Sequence, residues 1–203
     1  MATRIALIEA AETLFARSGV DGVTMRELQE AAGSSNKNVV AYYFSDRAAL
    51  VEAIYRHRMP AMEARRAELL EDLDAAGAGK DLARLLDALY RPLLEQTNAS
   101  GRHSYSHFLA ALNSRWAWTR TDIRDDFLVT EAIVERMSRL VPPTTDEHFR
   151  RRISMVFALV ANALRIGDEQ RGDGTLRASQ LYFDAIRVGA AAFAIPFGTE
   201  PIA

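Results

Sequence analysis

Cysteine is absent from the 203-residue chain, which excludes disulfide scaffolds, cysteine nucleophiles and thiolate metal sites. Lysine is almost absent too: Lys37 and Lys80 are the only two, and the other positive charges are all arginine. Neither sign of charge dominates. Against 25 Lys+Arg stand 27 Asp+Glu, for a net charge of −2. This balance argues against a polyanion binder held by bulk electrostatics. Long apolar runs are missing as well. The stretch Ile153 to Leu164 falls well short of the roughly 18 residues of a membrane span. Near the N-terminus, Glu9 and Glu12 interrupt any apolar core of a signal peptide. A soluble, cytoplasmic protein with no membrane partner is expected. Hydrophobic residues make up 49% of the chain and charged residues 26%, an ordinary globular balance with ample material for a core.

Almost every segment repeats its apolar residues with helical period, and no run alternates as a strand would. Ile8, Ala11 and Phe15 form the stripe of a first helix, which Gly19 ends. Asp21-Gly22 turns the chain. Thr24-Met25-Arg26-Glu27 then has the form of a capping box opening a short second helix, which ends at Gly33. Ser34-Ser35-Asn36 is turn and cap chemistry that opens a third helix running through Phe44. Ser45-Asp46 caps a fourth, which Pro60 should stop or kink. Beyond Gly77-Ala78-Gly79, further helices are expected near 80–97, 103–118, 122–140, 145–168 and 175–195. The fold class is therefore all-α: a three-helix N-terminal domain over residues 1–47 and a larger helical bundle over 48–203.

Residues 24–44 spell helix, tight turn, helix, with Gly33 where the chain must bend left-handed. This is the layout of a helix-turn-helix, in which the first helix crosses the DNA backbone and the second enters the major groove. The stretches "LFARSGVDGVTMRELQEAAG" and "NVVAYYFSDRAAL", the latter ending aromatic-Phe-x-x-basic-x-x-Leu, resemble the TetR family of transcriptional regulators over about Ile5 to Leu50. The resemblance implies an N-terminal DNA-binding domain and a C-terminal domain for ligand binding and dimerisation. It also implies a homodimer on a pseudo-palindromic double-stranded operator, and a repressor released by a small-molecule effector.

Carried over position by position, the resemblance gives Thr24 a helix cap and a phosphate contact, and Arg26 a contact to guanine. Ser35, Asn36, Lys37 and Asn38 fall at the start of the recognition helix, where Asn can pair with adenine and Lys can reach guanine. Ala41, Tyr42 and Tyr43 precede Phe44, with one tyrosine on phosphate, and Arg47 stands where a basic residue contacts phosphate. The chain departs from the family in three places. Gly33 to Phe44 is one residue longer than the commonest spacing, Ala41 replaces a frequent Tyr, and Gln29 stands where a small Ala is usual. Plainer readings compete: Arg26 could pair with Glu30 at i,i+4, and Val40 and Tyr43 could be core.

Residues 1–58 carry seven basic side chains (Arg4, Arg17, Arg26, Lys37, Arg47, Arg56, Arg58) and seven acidic ones (Glu9, Glu12, Asp21, Glu27, Glu30, Asp46, Glu52). Between Gly33 and Ser45 the only charge is Lys37. A modest salt dependence of DNA binding follows, each neutralised phosphate contributing about −0.9 to the slope.

In the C-terminal body, Ile153, Val156, Phe157, Val160, Ala161 and Leu164 make a long apolar surface, and Val188-Gly189-Ala190-Ala191-Ala192 would let another helix approach closely. Such surfaces suit a two-fold dimer. Tyr90, His103, His107, Phe108, Asn113, Trp116, Met155 and Asn162 are candidates for an effector pocket, apolar with a few polar groups. The competing reading of Phe108 and Trp116 is plain core. His103 and His107 share a helical face as a metal pair would, but lack the Glu of HExxH and an evident third ligand. Gly77-Ala-Gly79-Lys80-Asp81 is not a phosphate loop, because Asp81 replaces the Ser/Thr and no strand precedes it. Arg150-Arg151-Arg152 reads as a solvated or pairing face. No nucleophile–base constellation, resident metal or cofactor is expected, so an enzyme is not. The alternative function is a helical metal or small-molecule binding protein without DNA function.

Overall fold

The computed structural model describes residues 2–36, 38–112, 127–170 and 174–196, and among them all regular structure is helical. In chain order the helices are α1 (Ala2–Ser18), α2 (Met25–Ala31), α3 (Val39–Tyr43), α4 (Arg47–Ala75), α5 (Leu82–Glu95), α6 (Ser104–Ala111), α7 (Leu128–Ser138), α8 (Asp146–Glu169) and α9 (Gly174–Ala194). The chain clusters into two compact units. One comprises residues 1–63 and 96–128, the other 64–95 and 129–203. This division by packing differs from the linear one at 47/48, since the first half of α4 and all of α6 pack with the N-terminal helices.

Within the first unit, Leu7, Ile8, Ala11 and Phe15 of α1, Leu28 of α2 and Leu50, Ile54 and Tyr55 of α4 are all buried, and α1 packs on α6 and α2. Phe108 of α6 is fully buried, and the rings of Phe15, Tyr55 and Tyr105 surround it with centroids at 6.4, 5.8 and 6.0 Å. Burial of aromatic rings of this size dominates such a core. One carboxylate lies inside it: Glu12 of α1 receives Arg58 of α4 and the hydroxyl of Ser104 of α6.

In the second unit, α8 and α9 run antiparallel and close. The Phe149 and Phe193 rings lie 5.5 Å apart at one end. Farther along, a Cβ added to Gly189 would come within 2.6 Å of Val156, and one added to Gly167 within 2.5 Å of the Ala178 Cα. The small-residue stretch around Gly189 therefore accepts a helix of its own chain. From α5, the Tyr90 hydroxyl donates to the Ile153 carbonyl of α8 at 3.0 Å, and Asp87 accepts from Tyr182 of α9 at 2.9 Å. Arg136 of α7 pairs with Asp74 of α4, and Arg150 of α8 with Glu131 of α7.

Two expectations from sequence need correction, and a third falls partly outside the described residues. Helix α4 does not stop at Pro60 but continues to Ala75. Proline removes a single N–H, and the exposed Pro60 lies between turns anchored by the buried Met59 and Met62. Helix α3 begins at Val39, not in the Ser34–Asn36 turn. Helix α6 is described only as far as Ala111, and residues 113–126, which hold the end of the expected 103–118 helix and the start of the expected 122–140 one, lie outside the described residues.

Candidate nucleic-acid interface

The second helix is set by its first four residues. The Thr24 hydroxyl accepts from the Glu27 amide at 3.2 Å, while the Glu27 carboxylate accepts from the Thr24 amide at 2.7 Å and from its hydroxyl at 2.8 Å. The capping box is complete, and these bonds hold the Glu27 carboxyl below the usual carboxylate range, the Thr24 backbone N–H contributing most. Leu28 points α2 into the core. On the opposite side, two residues away in each direction at about 100° per residue, stand Arg26 and Glu30. They form the i,i+4 pair, with Arg26 Nε donating to Glu30 Oε1 at 2.7 Å and the Arg26 side chain 85% exposed.

Between α2 and α3 the chain is held by its own side chains. Gly33 sits at φ +65 with nothing within 4 Å of where a Cβ would be, so conformation alone asks for glycine here. The Gln29 side-chain amide donates to the Ser34 carbonyl at 3.0 Å. The Ser34 hydroxyl accepts from the Asn36 amide at 3.3 Å, and Asn36 Oδ1 from the Asn38 amide at 2.9 Å. These bonds satisfy amides that a longer helix would have used, and so α3 starts only at Val39. Sequence reasoning registered Gln29 only as a departure from a family pattern. Its role follows from the five-residue reach to Ser34, which spans the turn.

Helix α3 has five residues. Val39 and Val40 are buried, so the core reading of Val40 holds, and Tyr43 is half-buried. Ser35, Asn36, Asn38, Ala41 and Tyr42 are exposed, Tyr42 by 79%. The Tyr42 ring meets that of Tyr43 edge-on at 4.9 Å. Arg47 is half-buried and donates to the Val20 carbonyl at 2.5 Å, tying the start of α4 to the α1–α2 turn. One of its guanidinium nitrogens thus has a structural role. Arg4, which sequence reasoning did not single out, lies over the Phe44 ring at 5.3 Å. Lys37 lies outside the described residues.

The candidate effector residues fall in both units. His103, His107 and Phe108 belong to the first, and Phe108 is core there. Tyr90 is buried in the second, where its ring lies 6.3 Å from Phe157. Met155 is 71% exposed in an open groove along α8, and the exposed Asn162 accepts from Arg165 at 2.8 Å. Asn113 and Trp116 lie outside the described residues. Among the described residues, no group of three or more His, Asp and Glu could hold a metal ion, and no helix is long and apolar enough to cross a membrane. The Arg150–Arg152 run pairs locally. Arg150 bonds Asp146 and Glu131, Arg151 bonds Glu147, and Arg152 donates to the Ala192, Ile195 and Pro196 carbonyls at the end of α9.

A capped helix, a braced turn and a short helix with an exposed polar and aromatic surface over a buried core define a helix-turn-helix DNA-binding module in an all-α protein. Residues 7–54 match the model of the bacterial regulatory proteins of the tetR family, a match that supports DNA-binding transcriptional regulation. The chain is also similar to a crystal structure described as a TetR-family transcriptional regulator from Mesorhizobium loti MAFF303099. The two share 18% identity at a TM-score of 0.49, over 96% of this chain and 97% of the other. No curated protein matches the chain.

Proposed function

We propose that this protein is a cytoplasmic, homodimeric repressor that binds a pseudo-palindromic operator and is released from it by a small-molecule effector. Residues 1–47 are the DNA-binding part and 48–203 the effector-binding and dimerisation part. The observation that carries the reading is the exposed set Thr24, Arg26, Ser35, Asn36, Asn38, Ala41 and Tyr42, presented by α2, the turn and α3 while Leu28, Val39 and Val40 anchor them from behind. Lys37, Asn36 and Asn38 read base edges, and Tyr42, Tyr43 and Arg47 hold phosphates. Thr24 adds a phosphate contact to its capping role.

Dimerisation uses the outer faces of α8 and α9, where Met155, Leu159 and Val188 remain exposed after the two helices have packed on each other. A two-fold axis there puts recognition helices about 34–36 Å apart, one turn of the duplex. The effector acts by favouring a state with wrongly spaced recognition helices. Tyr90, His103, His107, Phe108, Asn113, Trp116, Met155 and Asn162 remain the residues to test for effector contact, and the reading assigns the protein no enzymatic role.

Selection of bound sequences from random DNA tests this reading. A two-fold-related motif is expected, with Lys37→Ala losing preference at particular bases. Enrichment of no sequence by the wild-type protein would overturn it.

A further inference from the structure

We infer that Glu30 is a positioning residue for DNA recognition: it grips one edge of the Arg26 guanidinium so that the other edge is presented, already oriented, to the N7 and O6 acceptors of a guanine. The inference rests on the reading that α2 faces DNA, and deepens it.

A guanidinium has five N–H donors in a plane. The bond from Arg26 Nε to Glu30 Oε1 at 2.7 Å uses the inner edge and leaves the donors of the two terminal nitrogens. Those terminal donors form the fork that matches the two acceptors guanine shows in the major groove. Arg26 is 85% exposed and lies across α2 from the buried Leu28, so the fork is directed away from the core. An unheld arginine must freeze several torsions on binding, whereas one already bonded at Nε has made part of that sacrifice in the free protein. The carboxylate also acts in the opposite sense on non-specific affinity. It brings negative charge close to the phosphates and partly cancels Arg26, which lowers attraction to any sequence. Glu30 therefore trades general affinity for discrimination, a signature that a merely structural surface ion pair would not leave.

The test measures binding to random-sequence pools and to single-base variants of the selected site, for the full-length protein and its Arg26→Ala, Glu30→Ala and Glu30→Gln variants. Residue 30 is exposed and alanine is a strong helix former, so folding is not at stake, and equal melting temperatures check this. The wild type should show a guanine preference in each half-site that Arg26→Ala reduces roughly tenfold to a hundredfold. Glu30→Ala should lower that same preference while leaving binding to unrelated DNA unchanged or stronger. Glu30→Gln, which keeps an oxygen to accept from Nε, should retain most of it. If Arg26→Ala removes the preference and Glu30→Ala does not, the role given to Glu30 is wrong and that of Arg26 stands. If Arg26→Ala weakens all sequences alike, Arg26 contacts phosphate and both assignments fall. A wild-type protein without any base preference overturns the DNA-reading function itself.

Discussion

Glu12 and Arg58, 46 residues apart, meet through two hydrogen bonds of 2.6 and 3.0 Å in the core of the first unit. Glu12 is 1% exposed, and it accepts a third bond from the Ser104 hydroxyl. Burial alone would lower the Arg58 pKa, but the bonds and charge of Glu12 outweigh it and the net shift is upward. A buried pair of this kind is poor evidence of net stabilisation against an apolar replacement, yet breaking one side of it strands a charge.

Removal of either partner alone should therefore be costly. Arg58→Ala or Glu12→Ala is expected to lose about 3–5 kcal/mol in chemical denaturation. A double replacement by apolar residues of similar volume should recover much of that loss. A double variant that loses the sum of the two single losses would show that the pair contributes nothing specific.

The two glycines of the α8–α9 contact predict different kinds of damage. Gly167→Ala drives a methyl into the Ala178 backbone, and Gly189→Ala drives one into the Val156 side chain. Each should cost about 1–3 kcal/mol, as overpacking does. Only the second can be relieved by trimming its neighbour, so Val156→Ala should restore stability to Gly189→Ala and not to Gly167→Ala. Thermal melts of the four variants check this.

The capping box gives a pH-dependent test. Glu27 titrates below its ordinary value of 4.5 because Thr24 bonds its ionised form. A depressed folded-state pKa means the contribution is complete above the unfolded value and is lost as pH falls through the folded one. Thr24→Ala should cost about 1 kcal/mol near neutrality. It should also move the Glu27 carboxyl part of the way back toward 4.5 in an NMR titration, since alanine keeps the backbone N–H that contributes most. An unmoved titration would mean that the Thr24 hydroxyl contributes nothing to the shift.

Met155, exposed on α8, tests the dimer. Met155→Glu is expected to yield a monomer in sedimentation at micromolar concentration with helical circular dichroism retained. A wild-type monomer under the same conditions would sink the proposed assembly.

What was legible in the sequence was local. Helical period carried the fold class, and the three-residue spacing of Thr24 and Glu27, the four-residue spacing of Arg26 and Glu30 and the bend at Gly33 are all relations within one turn of chain. What escaped was set by distance or by competition. Glu12 and Ser104 lie 92 residues apart, and no periodicity announces that an acid on a helix stripe will be enclosed by a helix so far along. Phe108 looked as much like a pocket wall as like core until Phe15 and Tyr55 were seen around it. The onset of α3 is not legible locally because Ser34 and Asn36 can serve a turn as readily as a cap, and the Gln29 bond favours the turn. At Pro60 the local signal for a stop is outweighed by the apolar residues on either side, and the helix runs on to Ala75.

The brevity of α3 bears on how variants of this protein will be interpreted. Five residues make no stable helix in isolation, so its shape is borrowed from the core beneath Val39 and Val40. Damage to the packing at Val39 or Val40 would then surface in a binding assay as a lost DNA contact. A screen for variants that no longer bind DNA would collect such variants beside true contact variants, and only a melting curve run on each would tell a missing finger from a collapsed hand.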